Sequence, residues 1–343
     1  MDNIKVVQIG MGPLGQKITQ FIAQREGLEV IGAVDVSPEL IDKDLGEVCG
    51  LDSLDIKIQS SITKCIEGIK PDAVILTTVS SMEKITPQIE KIVSFGIPIV
   101  STCEELSYPW NTSQILSEKI DKAAKANQVA VLGTGVNPGF LMDSLPTFLT
   151  SVCQDVQKLI VHRIQDAAFR RIPFQKKIGA GFTLEQFENK KKEGTLRHVG
   201  LSESIQLIAS RMGWKLTKVE DTLVPVVTER EIKTEAIRIP VGCVTGVQQI
   251  GKGYIDDNDK IILVFKASVG EPNPRDSIEI QGTPTIKSII EGGVHGDVAT
   301  CAITINALKQ IIRAQPGLRT MADIPVVSFF CYNCQKHKAI FNR

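Results

Sequence analysis

The chain has 343 residues, 43% of them hydrophobic, and 39 Lys and Arg balance 39 Asp and Glu. That length exceeds one ordinary domain, and the zero formal net charge gives no electrostatic reason to expect nucleic acid or an anionic membrane as partner. No apolar run approaches the ~20 residues that span a bilayer, and Met1-Asp2-Asn3-Ile4-Lys5 lacks a signal-peptide layout, so a cytoplasmic enzyme is expected.

Strand and helix patterns alternate over the first 135 residues. Ile4–Ile9 reads as a strand, Pro13–Gln24 as a helix with Leu14, Ile18, Phe21 and Ile22 on one side, and Leu28–Val34 as a second strand. Asp72–Leu76, Ile97–Val100 and Val129–Leu132 read as further strands, with helices at Ile85–Val93 and Ser113–Ala126. Nearly continuous apolar strands in a βαβ rhythm predict a doubly wound parallel α/β sheet of Rossmann type.

Beyond about residue 150 the rhythm changes to long β-forming stretches at Lys158–Ile164, Lys215–Thr228, Glu235–Gly246 and Lys260–Val269. Gly251-Lys252-Gly253 and Asp256-Asp257-Asn258-Asp259 read as turns, and Leu184–Lys192 and Ser202–Arg211 as helices. These stretches predict a second α+β domain built on a mixed or antiparallel sheet. Near the end, Asp297 is expected to cap a helix with Val298, Ala302, Ile305, Leu308 and Ile312 on its apolar side, stopped by Pro316-Gly317. The predicted organisation is therefore residues 1–135 as the parallel-sheet domain, 136–296 as the second domain, and 297–343 packing back on the first.

Gly10-Met11-Gly12-Pro13-Leu14-Gly15 is a GxGxxG turn between the first strand and the first helix. Gly10 permits the tight turn, Gly12 a close approach to pyrophosphate, and Gly15 close packing of helix on strand. Pro13 loses nothing in the first helical turn, whose free N–H groups and positive dipole end attract phosphate. Asp35 follows Gly15 by twenty residues, placed to bond the adenosine ribose and to repel a 2′-phosphate. NAD is thus favoured over NADP, although Lys43 leaves NADP tolerable. Thr78, Val79 and Ser80 follow one strand, and Thr102, Cys103 and Glu104 another, at the strand ends where such sheets bind ligands. Either cluster can equally cap the next helix. Gly133-Thr134-Gly135-Val136-Asn137-Pro138-Gly139-Phe140 specifies a tight backbone at the expected domain boundary, with Asn137, Pro138, Gly139 and Phe140 as candidates to shape a substrate pocket. A helix is predicted over Phe140–Thr150.

The eight cysteines are scattered, too sparse for a disulfide scaffold. Cys331-x-x-Cys334 with His337 is half of a zinc pattern, and half cannot supply four ligands, so no metal is expected.

Taken together, the glycine loop, Ser101–Pro109, Gly133–Pro146, Phe174-Gln175-Lys176-Lys177-Ile178-Gly179, His198-Val199-Gly200 and Gly293-Val294-His295-Gly296-Asp297 resemble the family of 2,4-diaminopentanoate dehydrogenase and native amine dehydrogenases, over about residues 4–330. The resemblance implies an architecture like dihydrodipicolinate reductase, with a Rossmann domain for the dinucleotide over residues 1–135 and an α+β domain with an open mixed sheet for substrate and dimerisation over 136–296, usually dimeric. It also implies NAD(P)-dependent oxidative deamination of an amine to a ketone and ammonia, reversible as reductive amination. The family's acid/base glutamate follows a Thr-Cys pair, and Glu104 matches it; Glu105 is the alternative. A diamino acid also needs a cation for its carboxylate, from among Arg163, Arg170, Arg171, His198 and His295. Amine-selective relatives tend to carry an aromatic residue near Asp166-Ala167-Ala168; small Ala167 and Ala168, with Phe169 after them, leave room for a polar diamino acid. Three rival readings remain: an enzyme for simple amines or ketones, a dihydrodipicolinate reductase, and a non-catalytic NAD sensor. The absence of adjacent histidines argues against the reductase. The intact glycine loop with Glu104 argues against the sensor.

Overall fold

The computed structural model describes residues 3–168, 172–194, 196, 199–235 and 237–331. It divides into two compact units, one formed by residues 1–139 with 296–343 and the other by 140–295. The expected roles of Phe169, Arg170, Arg171, His198, Cys334 and His337 lie outside the described residues.

In chain order the first unit contains β1 (Ile4–Ile9), α1 (Pro13–Ala23), β2 (Leu28–Val34), α2 (Leu45–Val48), β3 (Ile58–Gln59), α3 (Ile62–Ile66), β4 (Ala73–Leu76), α4 (Met82–Val93), β5 (Ile99–Ser101), α5 (Gln114–Ala126) and β6 (Ala130–Gly133). The second unit follows with α6 (Ser144–Leu149), β7 (Asp155–Asp166), α7 (Ile172–Lys177), α8 (Leu184–Lys192), α9 (Leu201–Met212), β8 (Lys218–Val227), β9 (Ile232–Lys233), β10 (Arg238–Ile239), β11 (Val244–Ile255), β12 (Asn258–Ser268), β13 (Arg275–Thr283) and β14 (Ile286–Glu291). The chain then returns to the first unit with α10 (Gly296–Ile311) and β15 (Gly317–Arg319).

The seven strands of the first unit run in the order β15-β6-β5-β4-β1-β2-β3, every pair parallel. A parallel sheet needs cover on both faces, which is why β4 is buried at all four positions. On one side Ile18 and Ile22 of α1 and Cys301, Ile305 and Leu308 of α10 pack on Val6, Ile75, Val100 and Leu132. On the other, Ile85, Ile89 and Ile92 of α4 and Ile120 of α5 pack on Val7, Val74, Ile99 and Val131. No helix among the described residues is long and apolar enough to cross a membrane.

The second unit holds a six-stranded mixed sheet, β14-β13-β7-β12-β11-β8, in which β7 and β12 are parallel and the other pairs antiparallel. One face, carrying Leu159, Val161, Val247, Leu263 and Ile278, packs beneath Leu201, Ile205 and Ile208 of α9.

Several sequence expectations need correction here. Gly251-Lys252-Gly253 is no turn but the middle of β11: a Cβ on Gly251 would come within 2.8 Å of Ile205 Cδ1 and 2.9 Å of Leu201 Cδ2, so these glycines let α9 lie close on the sheet. Glu235–Gly246 is not one strand; Gly242, at φ +79, breaks it between β10 and β11. The helix expected over Phe140–Thr150 begins only at Ser144, because the Asp143 carboxylate caps it and also accepts from Ser204 Oγ at 2.7 Å. Along α10, Val298 is exposed while Cys301, Ile303, Thr304 and Ala307 are buried.

Candidate functional site

The glycine turn is fixed by backbone needs at two positions. Gly10 has φ +92, and a Cβ there would meet the Thr77 carbonyl oxygen at 2.7 Å. A Cβ on Gly15 would lie 1.9 Å from the Gly10 carbonyl oxygen, so any larger residue would push α1 off the turn. Gly12, the residue just ahead of α1, has open space where its side chain would be. Pro13 follows at the helix start. The result is an open cradle lined by backbone at a helix N-terminus, the arrangement that accepts a phosphate.

Gly10, Gly12, Asp35 and Thr78 come together around a cavity of about 610 Å³. Asp35 organises its rim: Oδ2 accepts the Met11 N–H at 2.6 Å and Oδ1 the Ser37 N–H at 2.8 Å. Lys91, Gln88 and the segment Ser60–Thr63 also line the cavity, and Thr78 Oγ1 donates to Gln88 Oε1. The sequence reading named Lys43 as the cation near this rim; the lining lysine is Lys91.

Not every residue of the expected cofactor set offers a side chain. Met11 is fully buried in the core and contributes backbone only, and Leu14 packs against the same cluster. Val79 packs on the opposite core, while Ser80 is exposed. Cys103 is corrected as a side-chain contact: its thiol is 1% exposed within the core, and burial pushes it up to about 12, so it stays protonated and inert. Thr102 remains at the sheet rim, its N–H donating to Leu76 O at 3.2 Å.

Gln8, which the sequence reading passed over, holds the turn to the next strand end. It is fully buried in β1, and its Nε2 donates to the carbonyls of Ile9 and Gly10 and to Thr77 Oγ1, the last at 2.8 Å. The available signal was a polar residue within the apolar run Val6–Ile9 that leads into the glycine turn.

Glu104 begins a short 3-10 turn, Glu104–Leu106, directly after β5. Gly133 at the end of β6 admits that turn: a Cβ there would sit 2.5 Å from the Leu106 carbonyl carbon and 2.8 Å from Ser107 N. The Glu104 carbonyl accepts from Ser107 N–H at 3.1 Å and Ser107 Oγ at 2.8 Å, which pins its backbone. Its carboxylate is half-buried and has no hydrogen bond or ion pair among the described residues. The adjacent glutamate is committed elsewhere. Glu105 Oε2 accepts the Met82 N–H at 2.7 Å and so caps α4, a task the sequence had offered to the cluster at Thr78–Ser80; the side chain of Ser81, the residue just ahead of α4, makes no capping bond.

The glycine-rich exit from β6 is tightly built. Gly139, at φ +120, would bring a Cβ within 2.6 Å of Gly135 N, and Pro138 is buried beside it. Asn137 is half-buried. Thr134 is 2% exposed, and its Oγ1 has no hydrogen-bond partner among the described residues, which makes it a polar group at the rim that the sequence reading missed. In the second unit Phe140 is half-buried and its carbonyl accepts from Leu145 N–H at 2.9 Å.

Arg163, expected as a cation for a substrate carboxylate, must be corrected. It is 2% exposed; Nη1 donates to both Asp276 carboxylate oxygens at 3.0 Å and Nη2 to Val294 O at 3.1 Å. The guanidinium is engaged inside the sheet and cannot also meet a ligand. Ala168 is half-buried, its N–H donating to Asp166 Oδ1 at 2.9 Å. His295 is exposed and lines a separate cavity of about 290 Å³. No cluster of His, Cys, Asp and Glu suited to a metal occurs among the described residues.

Comparison with known proteins matches residues 140–339 to the 2,4-diaminopentanoate dehydrogenase C-terminal domain and residues 4–103 to the dihydrodipicolinate reductase N-terminus. The chain is 33% identical to the 2,4-diaminopentanoate dehydrogenase of Acetoanaerobium sticklandii, over 95% of its own length and 94% of that protein. Its fold resembles the amine dehydrogenase from Mycobacterium smegmatis, with TM-score 0.83, 20% identity and coverage of 96% and 98% of the two chains. It also resembles the WlbA dehydrogenase of Bordetella pertussis in complex with NADH and UDP-GlcNAcA, with TM-score 0.54, 14% identity and coverage of 94% and 93%. An open glycine turn at a helix N-terminus, an acidic residue after the second strand and an uncommitted carboxylate after the fifth thus occur in a chain that belongs to the 2,4-diaminopentanoate dehydrogenase family and is an oxidoreductase.

Proposed function

We propose that the chain oxidatively deaminates 2,4-diaminopentanoate to 2-amino-4-oxopentanoate and ammonia, reversibly, with NAD as its redox partner. The observation that carries this reading is Glu104, a half-buried carboxylate with a pinned backbone and no partner of its own at the rim of the parallel sheet. The Acetoanaerobium sticklandii relative supports the substrate. The open space at Gly12 and the Asp35 rim fit a dinucleotide, and the Bordetella pertussis fold relative is itself complexed with NADH. Asp35 favours NAD because a 2′-phosphate there would meet a carboxylate; Lys91 is the nearby group that would soften that preference. In this reading residues 1–135 with 297–343 serve the cofactor and residues 136–296 the substrate and a homodimer contact.

A bound nicotinamide supplies the hydride acceptor. Glu104 takes the proton that leaves the substrate ammonium, so the nitrogen lone pair can form the C=N bond as the hydride departs. Once that proton has passed to solvent, the carboxylate faces a positively charged iminium, lowers its energy, and accepts a proton from the water that adds to the carbon. Glu104 then returns this proton to the nitrogen, ammonia leaves, and the carboxylate takes up the hydroxyl proton as the C=O bond forms. Asn137 and the Thr134 hydroxyl shape the first unit's part of the rim on which the substrate rests.

The test is NADH or NADPH formation across diamino acids, monoamines and hydroxy acids. Reduction with amines and preference for NAD are expected; no turnover with any amine refutes the reading. Glu104→Gln should lower kcat by about 10²–10⁴-fold, the range for a lost general base, while NADH still binds. An unchanged kcat removes Glu104 from its role.

A further inference from the structure

Gly10 and Met11 share one peptide group, and both ends of it are tied down. Its carbonyl is turned toward the core, where it accepts from Gln8 Nε2 at 3.0 Å and from Thr77 Oγ1 at 2.9 Å. Its N–H points the opposite way and donates to Asp35 Oδ2 at 2.6 Å. A peptide is planar and trans, so fixing the direction of the carbonyl fixes that of the N–H. Gly10 sits at φ +92 and has no side chain to keep that plane from swinging, so the restraint must come from its neighbours. Every group in this chain of contacts lies in the first unit.

The inner clamp is built at a cost. Gln8 is fully buried in β1, and its amide must present Nε2 to the carbonyls of Ile9 and Gly10, which only accept. Nε2 also donates to Thr77 Oγ1 at 2.8 Å, which leaves the Thr77 hydroxyl proton to go to Gly10 O. In that orientation Gln8 Oε1 is buried with no partner among the described residues, a burden an apolar residue in β1 would not carry. The outer end is specified as closely. Asp35 Oδ1 accepts Ser37 N–H at 2.8 Å while Oδ2 accepts Met11 N–H. Each carboxylate oxygen therefore has one backbone partner and keeps acceptor capacity for one hydroxyl of a vicinal diol.

We propose that Gln8 and Thr77 are positioning residues for the choice of cofactor. Acting through the Gly10–Met11 peptide, they hold the Asp35 carboxylate in the one setting that accepts both hydroxyls of an adenosine ribose and turns a 2′-phosphate away. This rests on the dinucleotide reading above. Without the clamp the Gly10–Met11 plane swings, Met11 N–H leaves Oδ2, and Asp35 rotates about its side-chain bonds. NADH then loses two ordered ribose bonds. NADPH, which carries phosphate at one of those positions, meets a carboxylate that turns aside.

Gln8→Leu removes the amide at nearly constant volume, and Thr77→Val removes only the hydroxyl. The measured quantity is the Kd for NADPH divided by the Kd for NADH, each from fluorescence titration of the purified chain, so the readout needs no turnover. Gln8→Leu should weaken NADH by about 10-fold, the scale of one hydrogen bond to a charged group, and narrow the ratio by a similar factor. Thr77→Val should move the ratio the same way and serves if the Gln8 variant does not fold. Asp35→Ser supplies the second arm: adding Gln8→Leu to it should leave the ratio where Asp35→Ser alone puts it, because the clamp has nothing left to hold. A ratio unmoved in Gln8→Leu and Thr77→Val, equal weakening of both dinucleotides, or a further shift on the Asp35→Ser background overturns the proposal. Wild-type protein with no preference for NADH overturns it and the choice of NAD, while leaving dinucleotide binding standing. Wild-type protein that binds neither dinucleotide overturns the cofactor reading as well.

Discussion

Replacing Arg163 with methionine keeps most of the side-chain volume and removes the charge. Asp276 then stays at 7% exposure with the Val294 N–H as a remaining hydrogen bond and no counter-ion. Breaking one half of a buried pair costs about 3–5 kcal/mol, because the surviving charge stays out of water. For a unit of this size about 2–4 °C of melting temperature accompanies each kcal/mol, so Tm should fall by between about 6 and 20 °C. Thermal unfolding followed by circular dichroism measures this, with Arg163→Met/Asp276→Leu as the second arm. The double variant should recover most of the loss, since the orphaned carboxylate is gone. A drop equivalent to less than about 1 kcal/mol, the scale of an exposed pair, would refute the view that this pair is desolvated and holds the turn.

Gly15→Val places a side chain where even a Cβ lies 1.9 Å from Gly10 O, so the phosphate cradle must deform; NADH affinity measured by fluorescence titration should weaken by ~10-fold or more, about 1.4 kcal/mol. Asp35→Ser removes the anion at the cavity rim and should narrow the NAD-to-NADP ratio of kcat/KM; a widened ratio contradicts the ribose contact. His162 has its pKa lowered from 6.5 by burial first and Arg275 second, with Glu279 opposing. The unfolded chain therefore binds that proton more readily, so stability is full above pH 6.5 and falls as pH drops toward the folded value. His162→Gln should flatten the pH dependence of Tm below pH 6.5, and an unaltered slope would place its origin elsewhere.

The first unit was largely legible because its signals are local. A continuous apolar run such as Ala73–Leu76 can only be a buried strand, and Gly10, Gly12, Gly15 and Asp35 carry their spacing in the chain itself. Glu104 was found through family likeness, but its separation from Glu105 needed coordinates, since the cap on α4 joins residues distant in sequence. The second unit was harder. Glycine reads as a turn unless one knows that Ile205 and Leu201 press on Gly251. β13 and β14 went unread, although Ser277-Ile278-Glu279-Ile280-Gln281 in β13 alternates as a half-buried strand does; β14 lacks that alternation. Arg163 looked like a free cation because its partner Asp276 is 113 residues away.

The order in which the first unit's parts are synthesised differs from the order in which they pack. α10 and β15 leave the ribosome only after all of residues 140–295, yet Leu308 and Ile305 cover the inner strands and β15 completes the sheet beside β6. A nascent chain ending anywhere before residue 296 thus displays a greasy face and an open strand edge, the features that recruit chaperones and seed misassembly. Maturation of the cofactor half is in this sense gated by completion of the whole polypeptide, and a prematurely terminated product is marked for aggregation or proteolysis rather than for partial function.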